Sequence, residues 1–224
     1  MKPVYRIQNH RGYPAELVAL RWYVQDKWVP RADANKAHYR EWLFGLKNAQ
    51  PEAVHLLTRL FCDYWGALLG VTTLLLTVPS GRLHPGSRGA GLRAVAKAVA
   101  STTRCMYAEQ GLVRTSEARQ HDGGMRHSRE FQAHSLAIGA CPSRRTYRVI
   151  VIDDIITTGN TMLGALDRLV ADAWHGAPGR IELNGFAFGK TQERPDAAFP
   201  TTPQFVAPPW IRRHHLGRAP AKAA

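Results

Sequence analysis

A chain of 224 residues with 45% apolar content can bury the core of a single domain and still carry extensions, so it reads as globular rather than disordered. No apolar run nears the roughly 18 residues of a membrane span, the opening MKPVYRIQNHRGYP has no apolar secretion core, and Cys62, Cys105 and Cys141 include no C-x-x-C pair, which excludes a disulfide framework and a zinc ribbon. The expectation is a cytoplasmic protein with no membrane partner, whose net charge of +13 favours an anionic ligand, either a phosphorylated small molecule or nucleic acid.

Residues 1–69 read as a helical N-terminal extension. Their clearest signal is Pro51 to Gly70, where Val54, Leu57, Phe61, Tyr64 and Leu68 recur at helical spacing and would form a packing stripe. Trp22, Trp28 and Trp42 further upstream fit a core or a partner surface. A core of residues 70–190 follows. Thr72 to Val78 is a short apolar run of strand character that stops at Pro79-Ser80-Gly81-Arg82. Proline and glycine end strands, and the turn they make can present backbone N–H groups and a guanidinium to a diphosphate; an ordinary strand-ending turn explains the same residues. Leu92, Val95, Ala96 and Val99 then mark one face of a helix, giving strand, loop, helix, the repeating unit of a doubly wound sheet.

Between Ser80 and Arg148 twelve Lys/Arg stand against four acids. Such a surplus can form a basic rim that concentrates an anionic substrate, or a surface for nucleic acid, and composition does not separate the two. Within it, Arg114 to Glu130 is polar and carries Gly123-Gly124, the composition of a loop able to move over a site.

Val149 to Thr161, VIVIDDIITTGNT, carries the most information. Its branched apolar residues make a buried strand, and Asp153 and Asp154 stand where that strand leaves the sheet, the place where open α/β sheets bind ligands. Thr157, Thr158, Gly159, Asn160 and Thr161 offer hydroxyls, backbone N–H groups and one glycine, and a helix starting near Asn160 aims its positive end at the same spot. That is a cup for a monophosphate. Two carboxylates beside a phosphate would repel it unless they hold something else, and the neighbouring hydroxyls of a ribose need acceptors, met directly or through a divalent ion. A ribose 5-phosphate moiety satisfies the whole segment; a plain acidic turn and helix cap would not need two acids, two threonines and a glycine in this order.

Met162, Leu166, Leu169, Val170 and Ala173 give the following helix one apolar face, and Ile181, Leu183, Phe186 and Phe188 make a further strand. Gly185 to Thr191 is one residue short of a P-loop, and Pro195 breaks the helix such a loop requires. Residues 191–224 read as a basic, proline-rich, mobile tail, with Pro203, Pro208, Pro209 and Pro220.

Val149 to Thr161 resembles the 5-phosphoribosyl 1-diphosphate (PRPP) motif of the type I phosphoribosyltransferases. Together with VPSGRLHPGSRGAGLRAVAKAVA and ARQHDGGMRHSREF, it is further similar to the competence-protein ComF branch of that superfamily, over roughly Gly70 to Lys190. The chain departs from that branch in lacking its cysteine-rich zinc ribbon and in carrying Ala90-Gly91 where asparagine is usual. The resemblance implies an α/β, type I phosphoribosyltransferase fold: a mostly parallel central sheet with helices on both faces, plus a hood. It implies an enzyme that binds PRPP with Mg²⁺ and transfers phosphoribose to a nitrogenous acceptor, releasing pyrophosphate. Asp153 and Asp154 would be catalytic and hold Mg²⁺ directly or through water, Thr157 to Thr161 would take the 5-phosphate, and Ser80, Gly81 and Arg82 the pyrophosphate. Arg119, Arg126 and Arg129 are the hood residues implied to meet the leaving group, and a homodimer is compatible. The superfamily also includes regulators that bind without turnover, so a PRPP or nucleotide sensor, or a DNA-uptake protein using the basic face, is the alternative.

Overall fold

The computed structural model describes residues 5–8, 15–24, 34–80, 89–116, 128–139, 148–173 and 181–192. In chain order the elements are β1 (Tyr5–Gln8), β2 (Ala15–Val24), α1 (Ala34–Lys47), α2 (Pro51–Trp65), β3 (Thr73–Thr77), α3 (Ala90–Thr103), β4 (Met106–Tyr107), β5 (Leu112–Arg114), α4 (Arg129–His134), β6 (Leu136–Ile138), β7 (Arg148–Ile156), α5 (Asn160–Ala173) and β8 (Glu182–Gln192). Local chemistry sets their limits. Pro51 opens α2, where its missing N–H is no loss, and Gly66 at φ 44° closes it. Ser128 caps α4 by accepting from the Phe131 amide at 3.1 Å.

Six strands form one sheet in the order β1-β2-β8-β7-β3-β4, and β5 pairs with β6 in a small antiparallel sheet. β2, β8, β7, β3 and β4 run parallel, with β1 antiparallel at the edge. The residues alternate in address with the period of two that a strand imposes. Leu74, Leu76, Val149, Val151, Leu183 and Ala187 pack with Met162, Leu166 and Leu169 of α5. Leu75, Ile150, Ile152, Phe186 and Phe188 face the other way, against Leu57 and Phe61 of α2 and Val95 and Val99 of α3. Burying each such side chain contributes about 1.5–3 kcal/mol. Phe186 meets Phe61 and Phe188 edge-on at 4.8 and 5.1 Å, the geometry aromatic quadrupoles prefer. Helices thus cover both faces, and among the described residues no helix is long and apolar enough to cross a membrane.

The connections locate a crevice. β3 leads through α3 to β4 on one side, whereas β7 leads through α5 to β8 on the other. The chain therefore diverges from the C-terminal ends of two adjacent strands, the switch point at which doubly wound sheets bind ligands.

The expected organisation needs two corrections. Residues 1–69 are not a helical extension: they supply α1 and α2, but also β1 and β2, and β2 pairs with β8 from Ala15↔Leu183 to Val24↔Gln192. Leu17, Val18, Ala19 and Leu20 are all buried, two on each face. A strand covered on both faces shows a continuous apolar run rather than alternation, so the pattern that marks most strands is missing. The core also runs to Gln192 rather than ending at residue 190, while residues 193–224 of the expected tail lie outside the described residues.

Candidate functional site

β7 outruns its neighbour β3. The last β3 pairing is Thr77↔Ile152, and the Val78 amide adds a bond to the Ile152 carbonyl at 2.9 Å. Beyond that point β7 continues beside β8 alone, through Asp153↔Ala187 to Ile156↔Lys190. Asp153 and Asp154 therefore stand at the open edge of the crevice, next to the Pro79-Ser80 turn that leaves β3. Both residues keep part of their surface in solvent. Each carboxylate bends back onto its own strand: Asp153 Oδ1 accepts from the Asp154 amide at 2.8 Å, and Asp154 Oδ1 from the Ile155 amide at 2.7 Å.

The Asp153 carboxyl is enclosed by protein atoms. That desolvation, then the negative charge of Asp154, pushes its pKa well above the usual carboxylate range; the Asp154 amide and the Lys47 ammonium pull the other way. Lys47, the last residue of α1, brings Nζ to 3.6 Å from Asp154 Oδ2. Its helix reaches this position because Gly91 has no side chain: a Cβ there would stand 1.8 Å from the Leu46 carbonyl oxygen. That close approach of α1 to the start of α3 requires glycine at position 91.

The Thr157 to Thr161 segment forms the passage from β7 into α5. Thr157 and Thr158 are exposed, Gly159 adopts φ 88°, and α5 starts at Asn160, with the Leu163 amide donating to the Gly159 carbonyl at 2.8 Å. A positive φ here favours glycine on backbone grounds alone. Lys190 at the end of β8 donates Nζ to the Thr157 carbonyl at 2.5 Å and to the Thr191 carbonyl at 3.1 Å, adding a cation at the mouth of this loop. Sequence reasoning missed Lys190, which it saw as part of a failed P-loop; the register that sets it against Ile156 is not visible in sequence.

Arg114 was also missed. It is the last residue of β5, and its guanidinium reaches the carbonyls of Ser80 at 3.3 Å and Pro79 at 3.4 Å, Gln132 Oε1 at 3.0 Å, and Ser135 Oγ. Burial lowers its pKa to about 10, while the charge of Asp153 opposes that shift. It remains a cation at neutral pH.

Of the other expected residues, Ser80 lies in the turn beside the acid pair, whereas Gly81, Arg82, Arg119 and Arg126 lie outside the described residues. Arg129 opens α4 and turns to α5: its Nε and Nη2 bond the two carboxylate oxygens of Asp167 at 2.6 and 2.7 Å. That fork holds two helices together. The basic surplus is partly spent in the same way, since Arg93 and Lys97 meet Glu109, and Arg148 meets Glu182.

Among the described residues no group of three or more His, Cys, Asp or Glu could hold a metal ion. A magnesium ion does not need one, because it keeps several waters and binds through one or two carboxylates plus the phosphates of its substrate. Asp153 and Asp154 are the two adjacent carboxylates near the end of β7 from which such a partial role could be asked. No model of a known protein family matches this chain, and neither does any curated protein.

Proposed function

We propose that this chain is a type I phosphoribosyltransferase that binds PRPP with Mg²⁺ and transfers phosphoribose to a nitrogenous acceptor, with release of pyrophosphate. The observation that carries the reading is the switch point between β3 and β7, which puts three features on one crevice: the Pro79-Ser80 turn, the acid pair, and the hydroxyl-rich loop into α5. A pentose with an anion at each end matches that order. In this reading β5, β6 and α4 belong to the hood.

The amides and hydroxyls of Thr157 to Thr161 would hold the 5-phosphate, with charge-assisted hydrogen bonds of about 1.5–3 kcal/mol each. Asp153 and Asp154 would bond the ribose hydroxyls, and the negative charge of Asp154 would help stabilise the cationic, oxocarbenium-like ribose as the bond to the diphosphate breaks. Ser80, with Gly81 and Arg82, would receive the diphosphate. Asp153 and Asp154 would hold Mg²⁺, directly or through water, and that ion would supply positive charge for the leaving diphosphate. The remaining contribution of the protein is orientation, since the acceptor nitrogen must meet C1 in line with the departing oxygen.

The test is calorimetric titration with PRPP and Mg²⁺, followed by a pyrophosphate-release assay over a panel of nucleobases and amines. The wild type binds PRPP, one acceptor releases pyrophosphate, and Asp154→Asn weakens binding about ten-fold or more while its circular dichroism is unchanged. A wild type with no affinity for PRPP sinks the proposal. Binding without release by any acceptor supports a sensor instead.

A further inference from the structure

A ligand with an anion at each end needs its two binding segments held at a fixed separation. Here they lie on different elements, the turn after β3 and the start of α5. α4 joins them. On one side, Arg114 uses four of its five N–H donors to bond the Pro79 and Ser80 carbonyls together with Gln132 and Ser135 from α4 and its C-terminal end. Ser135 Oγ in turn donates to the Gln132 carbonyl at 2.9 Å, so the α4 end of the contact is braced. On the other side, the Arg129 fork grips Asp167 of α5, which is only 5% exposed. Gly164 lets the two helices touch: a Cβ there would lie 2.7 Å from Gln132 Cβ, 2.8 Å from the Ala133 amide nitrogen and 2.9 Å from the Arg129 carbonyl oxygen.

We propose that α4, joined to the β3 turn through Arg114 and to α5 through Arg129 and Gly164, is a spacer that fixes the distance between the diphosphate turn and the phosphate cup. Arg114 is then a positioning residue that selects ligands anionic at both ends. This rests on the PRPP reading. The mechanism is geometric: the guanidinium is a rigid planar fork, so its bonds transmit position with little slack, which a flexible ammonium does not. Once one end of a ligand is bound, the other meets its site at high effective concentration only if the separation is right. A loosened spacer therefore penalises the two-ended ligand and spares a ligand that has one anion. Arg114 acts through the turn, because most of its donors already face protein oxygens.

The experiment titrates the full chain with PRPP plus Mg²⁺ and, separately, with ribose 5-phosphate. Arg114→Lys keeps the charge but cannot span two carbonyls and α4 at once, and Gly164→Ala pushes α4 from α5 without altering a side chain that faces a ligand. In both variants the affinity for PRPP falls about ten-fold while that for ribose 5-phosphate changes less than about two-fold. Melting curves identify a variant that has failed to fold, in which case the other decides. Equal losses for the two ligands, or none, overturn the spacer. A wild type that binds ribose 5-phosphate but not PRPP overturns it together with the functional reading, whereas a PRPP-binding wild type with an unchanged ratio in the variants overturns the spacer alone.

Discussion

Replacing Asp153 with Asn deletes an ionisable group from an enclosed position while keeping its shape and an oxygen at Oδ1, so the 2.8 Å bond from the Asp154 amide survives. Burial and the neighbouring Asp154 raise the Asp153 pKa, so the fold disfavours its ionised form relative to the unfolded chain. The sign follows by linkage. The stabilisation associated with protonated Asp153 is fully present below the ordinary carboxylate pKa of about 4 and is lost as pH rises through the higher folded value. Asn carries no such loss, so the variant gains on the wild type as pH rises and levels off above that folded value. Stabilising single substitutions commonly contribute about 0.5–2 kcal/mol. Lys47 and Arg114 each lose an attractive charge, and solvent reaches part of the residue, so the gain belongs in the lower half of that range, on the order of 1 kcal/mol, or about 2–4 °C for a chain of this size. Thermal unfolding followed by circular dichroism between about pH 5 and about pH 8.5, with EDTA present, measures it. PRPP titration of the same variant shows weakened binding. A variant less stable than the wild type at the upper pH, or a gap that shrinks as pH rises, refutes the reasoning.

Asp167→Asn leaves Arg129 without its ionic partner in a mostly enclosed helix contact and is expected to cost about 3–5 kcal/mol in urea unfolding, because removing one member strands the other charge. A loss under about 1 kcal/mol would show that the pair is not holding α4 to α5. Gly91→Ala drives a methyl group into the Leu46 carbonyl and must displace the end of α1, at about 1–3 kcal/mol. Hydrogen exchange should then speed up in α1 while β7 stays protected; uniform acceleration would mean that the strain is not local.

What the sequence reveals of this protein divides along physical lines. β7 and α5 are legible because their signals are local: a branched apolar run, then an apolar face recurring every third or fourth residue, with the turn between them starting its helix at Asn160 as expected. The same holds for β3 and α3. β2 is not legible, since burial on both faces erases alternation. Arg114 and Lys190 escape notice for a different reason. Their partners lie more than thirty residues away, Arg114 at the β3 turn and Lys190 at Thr157, and only strand order and register bring them together. Arg129 was readable as a cation near the site but not as a helix-to-helix fork, because its partner on α5 is fixed only by how α4 packs.

The charges around the crevice divide between holding the site and serving it. Lys47 lies against Asp154, Arg114 is tied to the Pro79-Ser80 turn and feels Asp153, and Arg129 is bound to Asp167, so these three cations are already balanced by the protein's own oxygens. In the phosphoribosyltransferase reading, a ligand carrying a phosphate and a diphosphate competes with those oxygens for these cations. Its charge would then fall largely to the amides and hydroxyls of Thr157 to Thr161, the Lys190 ammonium at the mouth of that loop, the Ser80 turn and an accompanying cation. Backbone N–H groups at a helix start supply positive potential without adding an ionisable residue, and they require little reorganisation on binding. That is a physical reason for a hydroxyl- and glycine-rich loop at the end of β7 in place of a cluster of lysines. In that reading an acid pair serving a pentose can stand beside a phosphate cup because the cup's positive character comes from amide dipoles, which the acids do not neutralise by simple ion pairing.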